Sequence, residues 1–234
     1  MENNFIEFQE YLKRLRKIYL KSLYSFYVFE SMDELRALNV CGEKAYKNAD
    51  TMTRFKNFFV TTKDALNFHF LMELAKLFDD AKQSLHINKL IAFAKSNNKY
   101  LTAENFNSAN QNRVFLEELT KEYEGITKDD ILDIENLLNT NQGLINRLTS
   151  YRDQYLAHED KNKKEILITV EEIKILFEII KKILNTFSKK TNFSTTMYSH
   201  IEENCKNDTQ MVVEYLERFE KYRLQEIEKE LDQK

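Results

Sequence analysis

Apolar residues recur along most of this chain at steps of three and four, the spacing that places them on one face of an α-helix. Phe5, Phe8, Leu12, Leu15, Tyr19, Leu23 and Phe26 predict a long first helix over about residues 4–36. Lys13, Arg14, Arg16, Lys17 and Lys21 fill its other faces, either as a solvated basic surface or as a strip that meets phosphates. Gly42 punctuates, and a short helix over about 43–58 follows. Thr61 or Thr62 is then expected to cap a helix lined by Leu66, Phe70, Leu74 and Leu77 that ends in LFDD at 77–80. Ser84 is expected to cap a short helix carrying Ile87, Leu90, Ile91 and Ala94. An Asn-rich loop leads to a weakly patterned helix from about Thr102 to Glu124.

Gly125 ends that stretch. Thr127 with Asp130, and later Thr169 with Glu172, have the spacing of capping boxes. Ile173, Phe177, Ile180, Leu184 and Phe187 predict a strongly two-faced helix closing in Lys189 and Lys190. Residues 191–208 read as a polar connection. A last helix over about 208–232 carries Val212, Tyr215, Phe219 and Tyr222 on one face, with a highly charged end.

The helix expected over 128–158 breaks its own pattern. Ile131, Ile134, Leu138, Ile145, Leu148 and Tyr155 keep the three-four rhythm, but Asn141 and Arg152 occupy the same register. A buried, unpaired charge costs several kcal/mol even after relaxation. Arg152 must therefore find a partner, reach an edge, or line a wet cavity or interface. His158 follows it. On one straight helix the two lie about 120° apart in azimuth and about 9 Å apart along the axis. They converge if the helix stops near Ala157, or if a two-fold partner brings a second copy of the segment alongside.

Composition strengthens the helical reading. The 234 residues include no proline, no tryptophan and three glycines, at 42, 125 and 143. So few turn-formers do not suit a sandwich or barrel, and an all-α fold is expected. The net charge of −3 gives no global field for nucleic acid, so such contacts need a local patch. Cys41 and Cys205 are far apart and signal neither a disulfide framework nor a zinc site. No metal or other cofactor is expected. No Walker, dinucleotide or nucleophile-elbow motif occurs. Asp79 and Asp80 lack the further acids of a magnesium site and read as a helix C-terminal connection. His69, His86 and His200 read as ordinary residues. Without an apolar leader or a bilayer-length run, the expectation is a cytoplasmic protein with no membrane contact.

An imidazole titrates near neutrality and serves as general acid or base. A guanidinium stays charged and offers a fork of donors to a phosphate. Together they suit phosphodiester attack in RNA, where the 2′-hydroxyl is the nucleophile. Asp153 either orients one of them or is a solvated residue. Asn146, Tyr151, Tyr155, Lys161, Lys163 and Lys164 are weaker RNA-contact candidates, and for the two tyrosines a core position is favoured.

The block SYRDQYLAHEDK, with Arg152 and His158 as R-x5-H, resembles the R-x4–6-H signature of HEPN domains. The nearest likeness is to the abortive-infection AbiU-type branch, in which segments like LMELAKLFDD (71–80) and SLHINKLI (84–91) precede an R-D-x-x-x-A-H-x-D block. The likeness covers roughly residues 60–190. It implies a dimerising helical bundle, and for many members a metal-independent endoribonuclease of toxin–antitoxin or phage-defence systems. The family's Arg and His fall on Arg152 and His158, and the polar residue after the Arg falls on Asp153. HEPN toxins paired with nucleotidyltransferase antitoxins often carry a tyrosine two residues after the histidine. Asp160 stands there, a departure from the tyrosine-dependent type.

Two functions follow as expectations. The leading one is a homodimeric HEPN-like ribonuclease with catalytic candidates Arg152, His158 and Asp153, RNA as substrate and an antitoxin protein as a partner. The chain would form one domain over 1–234, with a core at about 60–190 and terminal helices as dimerisation arms. The second is a non-catalytic dimeric scaffold in which Arg152 is locked in a salt bridge instead of facing a cleft.

Overall fold

The structure, a computed structural model, describes residues 2–35, 42–81, 83–157 and 165–232. Among these residues the fold is all-α and contains no strand. Ten α-helices run from α1 (Glu2–Glu34) to α10 (Ser199–Asp232), so the long terminal helices anticipated from the apolar rhythm are both present. None of the described helices is long and apolar enough to cross a membrane. The chain divides into two compact units. The first holds residues 1–22 and 71–196, and the second holds residues 23–70 and 197–234.

The first unit is built on the start of α1, the end of α3 (Lys56–Leu77) and six further helices. These are α4 (Ile87–Asn97), α5 (Ala103–Ala109), α6 (Leu116–Lys121), α7 (Lys128–Thr140), α8 (Gln142–Tyr151) and α9 (Val170–Asn192). The apolar face of α1 is buried as the spacing requires, with Phe5, Phe8, Leu12, Leu15 and Tyr19 in the core. Phe8 meets Phe187 of α9 edge-on at 5.7 Å, and Tyr19 meets Phe177 at 5.9 Å. Edge-to-face rings put the positive rim of one against the negative face of the other. The α9 stripe from Ile173 to Phe187 is buried along its length.

Both expected capping boxes form. Thr127 Oγ1 accepts from the Asp130 amide at 3.1 Å while Asp130 Oδ2 accepts from the Thr127 amide at 2.8 Å. Thr169 and Glu172 repeat the exchange at 3.2 and 3.0 Å. Gly125 sits at φ 69°, where a Cβ would lie 2.9 Å from the Leu101 carbonyl oxygen. That clash, more than helix propensity, demands glycine at the turn into α7.

Several boundaries differ from the rhythm. The helix expected over 128–158 is broken: α7 stops at Thr140 and α8 starts at Gln142. Asn141 is the joint, and its amide donates to the Leu137 carbonyl at 2.8 Å. A polar residue in the stripe thus marks a helix end, because a short amide side chain satisfies carbonyls that the terminating helix leaves open. Ser84 does not cap α4. His86 does, its Nδ1 accepting from the Lys89 amide at 3.2 Å. The helix expected from Thr102 to Glu124 is two short ones, although Thr102 does cap the first. Between them Arg113 turns away to bind the side chain and carbonyl of Asn192 at 2.8 and 3.0 Å. It thereby satisfies the end of α9, whose next residue, Phe193, takes the left-handed conformation at φ 49°.

The second unit packs Met32, Phe59 and Val213 together, with Leu66 and Leu216 against them. Here α3 begins at Lys56, just after α2 (Glu43–Arg54), so Thr61 and Thr62 are interior rather than caps. Burying Phe59 requires helix before them. The segment from 199, read as part of a polar connection, already belongs to α10. Its buried stripe is Ile201, Cys205, Thr209 and Val213, and two of those residues do not read as apolar. The Thr209 hydroxyl hides by donating to the Cys205 carbonyl at 2.7 Å. The apolar face expected on this helix is therefore not its buried one, since Val212, Tyr215, Phe219 and Tyr222 are exposed. Arg54 pairs with Glu220 at 3.0 Å and Lys44 with Glu214 at 3.3 Å, tying α2 to α10.

Two stability outcomes follow from the first unit. Phe8→Ala should destabilise the chain by about 3–5 kcal/mol, because it empties a fully buried ring site. Thr127→Ala should cost about 1 kcal/mol through loss of one cap. Urea unfolding followed by circular dichroism measures both.

Candidate functional site

Arg152 follows α8 at the point where the helix changes character. Ile145 and Leu148 are the buried residues of α8, and Arg152 continues their face four residues on. From Arg152 to Ala157 the backbone widens into a π-helical turn. Such turns insert an extra residue into the helical ladder and recur at functional sites. His158, Asp160, Lys161, Lys163 and Lys164 lie outside the described residues.

The charge at Arg152 is neutralised from two directions. Its Nε and Nη2 both reach Asp153 Oδ1 at 2.8 Å. Its Nη1 reaches Asp79 Oδ2 at 3.2 Å. The Arg152 and Asp79 side chains are each only 17% exposed, while Asp153 is 56% exposed. Burial works against the Arg152 charge, but hydrogen bonds and charge from Asp153 and Asp79 outweigh it and raise the pKa above arginine's ordinary value. For Asp79, burial alone would push the carboxyl up. The Asp80 amide, the Arg152 charge and the Ala81 amide reverse this and hold it below the ordinary aspartate value.

Asp79 belongs to the turn between α3 and α4. Its Oδ1 accepts from the backbone amides of Asp80 at 2.9 Å and Ala81 at 3.4 Å. Ser84 Oγ donates to the Ala81 carbonyl at 2.9 Å and shares that proton with Asp79 Oδ2 at 3.4 Å. Buried His86 closes the turn by capping α4. The two blocks that carry the sequence resemblance, LFDD with its following S-L-H and the R-D dipeptide, thus meet at one ion pair. The sequence pairs Arg152 with Asp153 by adjacency alone. Asp79 reads there only as a helix end, and no spacing signals a contact between residues so far apart.

The weaker RNA-contact candidates fare differently. Tyr151 and Tyr155 are half-buried and stack on each other at 4.9 Å and 16°, so they are not the core residues expected. One helical turn of separation and a shallow surface let the rings pair face to face. Asn146 is exposed, and its side-chain oxygen accepts from Gln142 at 2.7 Å, on the outer side of α8. Arg147, not singled out from the sequence, pairs with Glu172 at the start of α9. His69 lies 2.8 Å from the Ser25 hydroxyl in the second unit.

His86 makes the turn pH-sensitive. Its pKa is lowered, first by burial and then by Lys89, against the opposing pull of Asp79, Asp80 and a bond to Ala81. Above the ordinary imidazole value of 6.5 the ring is neutral in both states and the cap contributes fully. Below it the unfolded chain takes up the proton first, so stability falls until the folded ring protonates too. Urea midpoints taken between about pH 8 and about pH 5 should fall for the wild type. His86→Asn, which keeps a capping side chain without a titrating one, should flatten that slope.

No curated protein matches the chain, and neither does any solved structure. A family model does, the HEPN family AbiU2, over residues 5–212. That span takes in nearly all of α1, both resemblance blocks and the first part of α10. By that match the chain belongs to the AbiU2 family of HEPN proteins.

Proposed function

We propose that the protein is a metal-independent endoribonuclease of abortive-infection type that works as a homodimer. The observation that carries this reading is the state of Arg152. It is an arginine half-sunk at a π-turn, oriented by its neighbour Asp153 along the Nε–Nη2 edge. A guanidinium has five N–H donors. Asp153 engages one on Nε and one on Nη2, and Asp79 engages one on Nη1. In this reading a phosphate takes donors of the two terminal nitrogens that face away from the carboxylates. That pair is the fork that grips two oxygens of a phosphate.

In the proposed reaction the ribose 2′-oxygen attacks phosphorus and the bond to the 5′-oxygen breaks. His158 takes the 2′-hydroxyl proton or supplies one to the departing 5′-oxygen. Arg152 holds the non-bridging oxygens as their charge grows. Asp153 keeps the guanidinium turned toward them. The products are a 2′,3′-cyclic phosphate and a 5′-hydroxyl. Tyr151 and Tyr155 offer a stacked aromatic surface for a neighbouring base, and Lys161, Lys163 and Lys164 supply backbone charge.

A second reading has its own observation. The salt bridges at Arg152 are also what a non-catalytic HEPN scaffold would show, with the guanidinium locked for structure. RNA cleavage in EDTA separates the two. Arg152→Ala and His158→Ala should each reduce the rate by about 10²–10⁴-fold relative to wild type. A wild type that does not cut leaves the scaffold, and three proteins that cut equally rule out Arg152 and His158 as the catalytic pair. An antitoxin protein that binds and silences the dimer is the partner this proposal anticipates.

A further inference from the structure

We infer that Asp79 is a positioning residue of the same site, delivered to Arg152 by the α3–α4 turn. This rests on the ribonuclease reading and extends it to a segment that contributes none of the R-x5-H motif.

The turn holds the Asp79 carboxylate independently of Arg152. The Asp80 amide donates to Oδ1 at 2.9 Å, with the Ala81 amide at 3.4 Å and the Ser84 hydroxyl 3.4 Å from Oδ2, so the carboxylate has partners in its own turn besides Arg152. The turn itself is closed by the Ser84–Ala81 bond and by the His86 cap. Asp79 also occupies a different nitrogen of the guanidinium from Asp153. One contact fixes the Nε–Nη2 edge, and the other fixes Nη1 at 3.2 Å. A planar group held at two separate edges can neither roll about its long axis nor swing on its stem. Arg152 carries three methylenes of freedom, and Asp153 alone, mostly exposed and on the same turn, restrains them weakly. The pair with Asp79 is longer but less exposed, so it adds a second restraint that solvent screens less.

A decorative surface ion pair would be exposed at both ends and held by nothing else. Neither is true here. A carboxylate that merely competed with phosphate would also sit at this distance, and the two cases differ in sign. Positioning predicts loss of rate when Asp79 is neutralised, and competition predicts gain.

The test uses the full chain with Asp79→Asn and Ser84→Ala. Steady-state RNA cleavage in EDTA gives kcat and KM. The ¹⁵N-resolved Nε–H resonance of Arg152 reports whether the guanidinium is held. Asp79→Asn should lower kcat by roughly 10²-fold with little change in KM, since a misplacement of about 1 Å costs that much. It should also broaden or shift the Nε–H resonance. Ser84→Ala should do both to a smaller extent. Unchanged or increased kcat in Asp79→Asn, a rise confined to KM, or an unmoved resonance overturns the inference while leaving the nuclease reading intact. A wild type inert toward RNA overturns the nuclease reading and, with it, any role of Asp79 in catalysis.

Discussion

A positive charge on the inward face of a helix must be balanced where it stands, and the site is organised around that demand. Arg152 continues the buried face of α8 and cannot remain there alone. One aspartate comes from the next residue and another from a turn distant in sequence. The π-helical widening begins at this residue, where the core stripe meets a group it cannot bury unaided. The same demand brings together two segments that would otherwise be unrelated loop ends.

The scaffold around this pair gains rigidity from ring packing and from capped ends. Phe8 against Phe187 and Tyr19 against Phe177 hold the start of α1 to α9. Capping boxes at Thr127 and Thr169 define where α7 and α9 begin. Arg113 and the left-handed Phe193 finish α9 in a chain with too few glycines to do it the usual way. Phe193 offsets its backbone strain by packing on Phe106 at 5.5 Å. A site that depends on sub-ångström placement of a guanidinium needs such support, and the first unit supplies it.

Membership of the AbiU2 family gives the chain its HEPN character, and the chemistry is argued from residues. Asp153 and Asp79 neutralise Arg152 from two directions. Under the proposed function the same arginine takes a phosphate.

The sequence by itself determined the all-α class, the faces of α1 and α9, both capping boxes and the block around Arg152. Each depends on residues within a turn or two of one another, where spacing is geometry. It misplaced boundaries where local patterns carry two meanings. Asn141 looked like a buried polar residue and is a joint. Cys205 looked like connection and is core, and Thr209 is buried beside it. Val212, Tyr215, Phe219 and Tyr222 share one face of α10 by spacing, and that face is exposed. Only tertiary structure decided that Asp79 meets Arg152, that His86 and not Ser84 caps α4, and that Tyr151 and Tyr155 stack on each other. Those contacts depend on where separate segments lie in space. The periodicity of a helix records which side of it is dry and carries no information about which distant charge will arrive there.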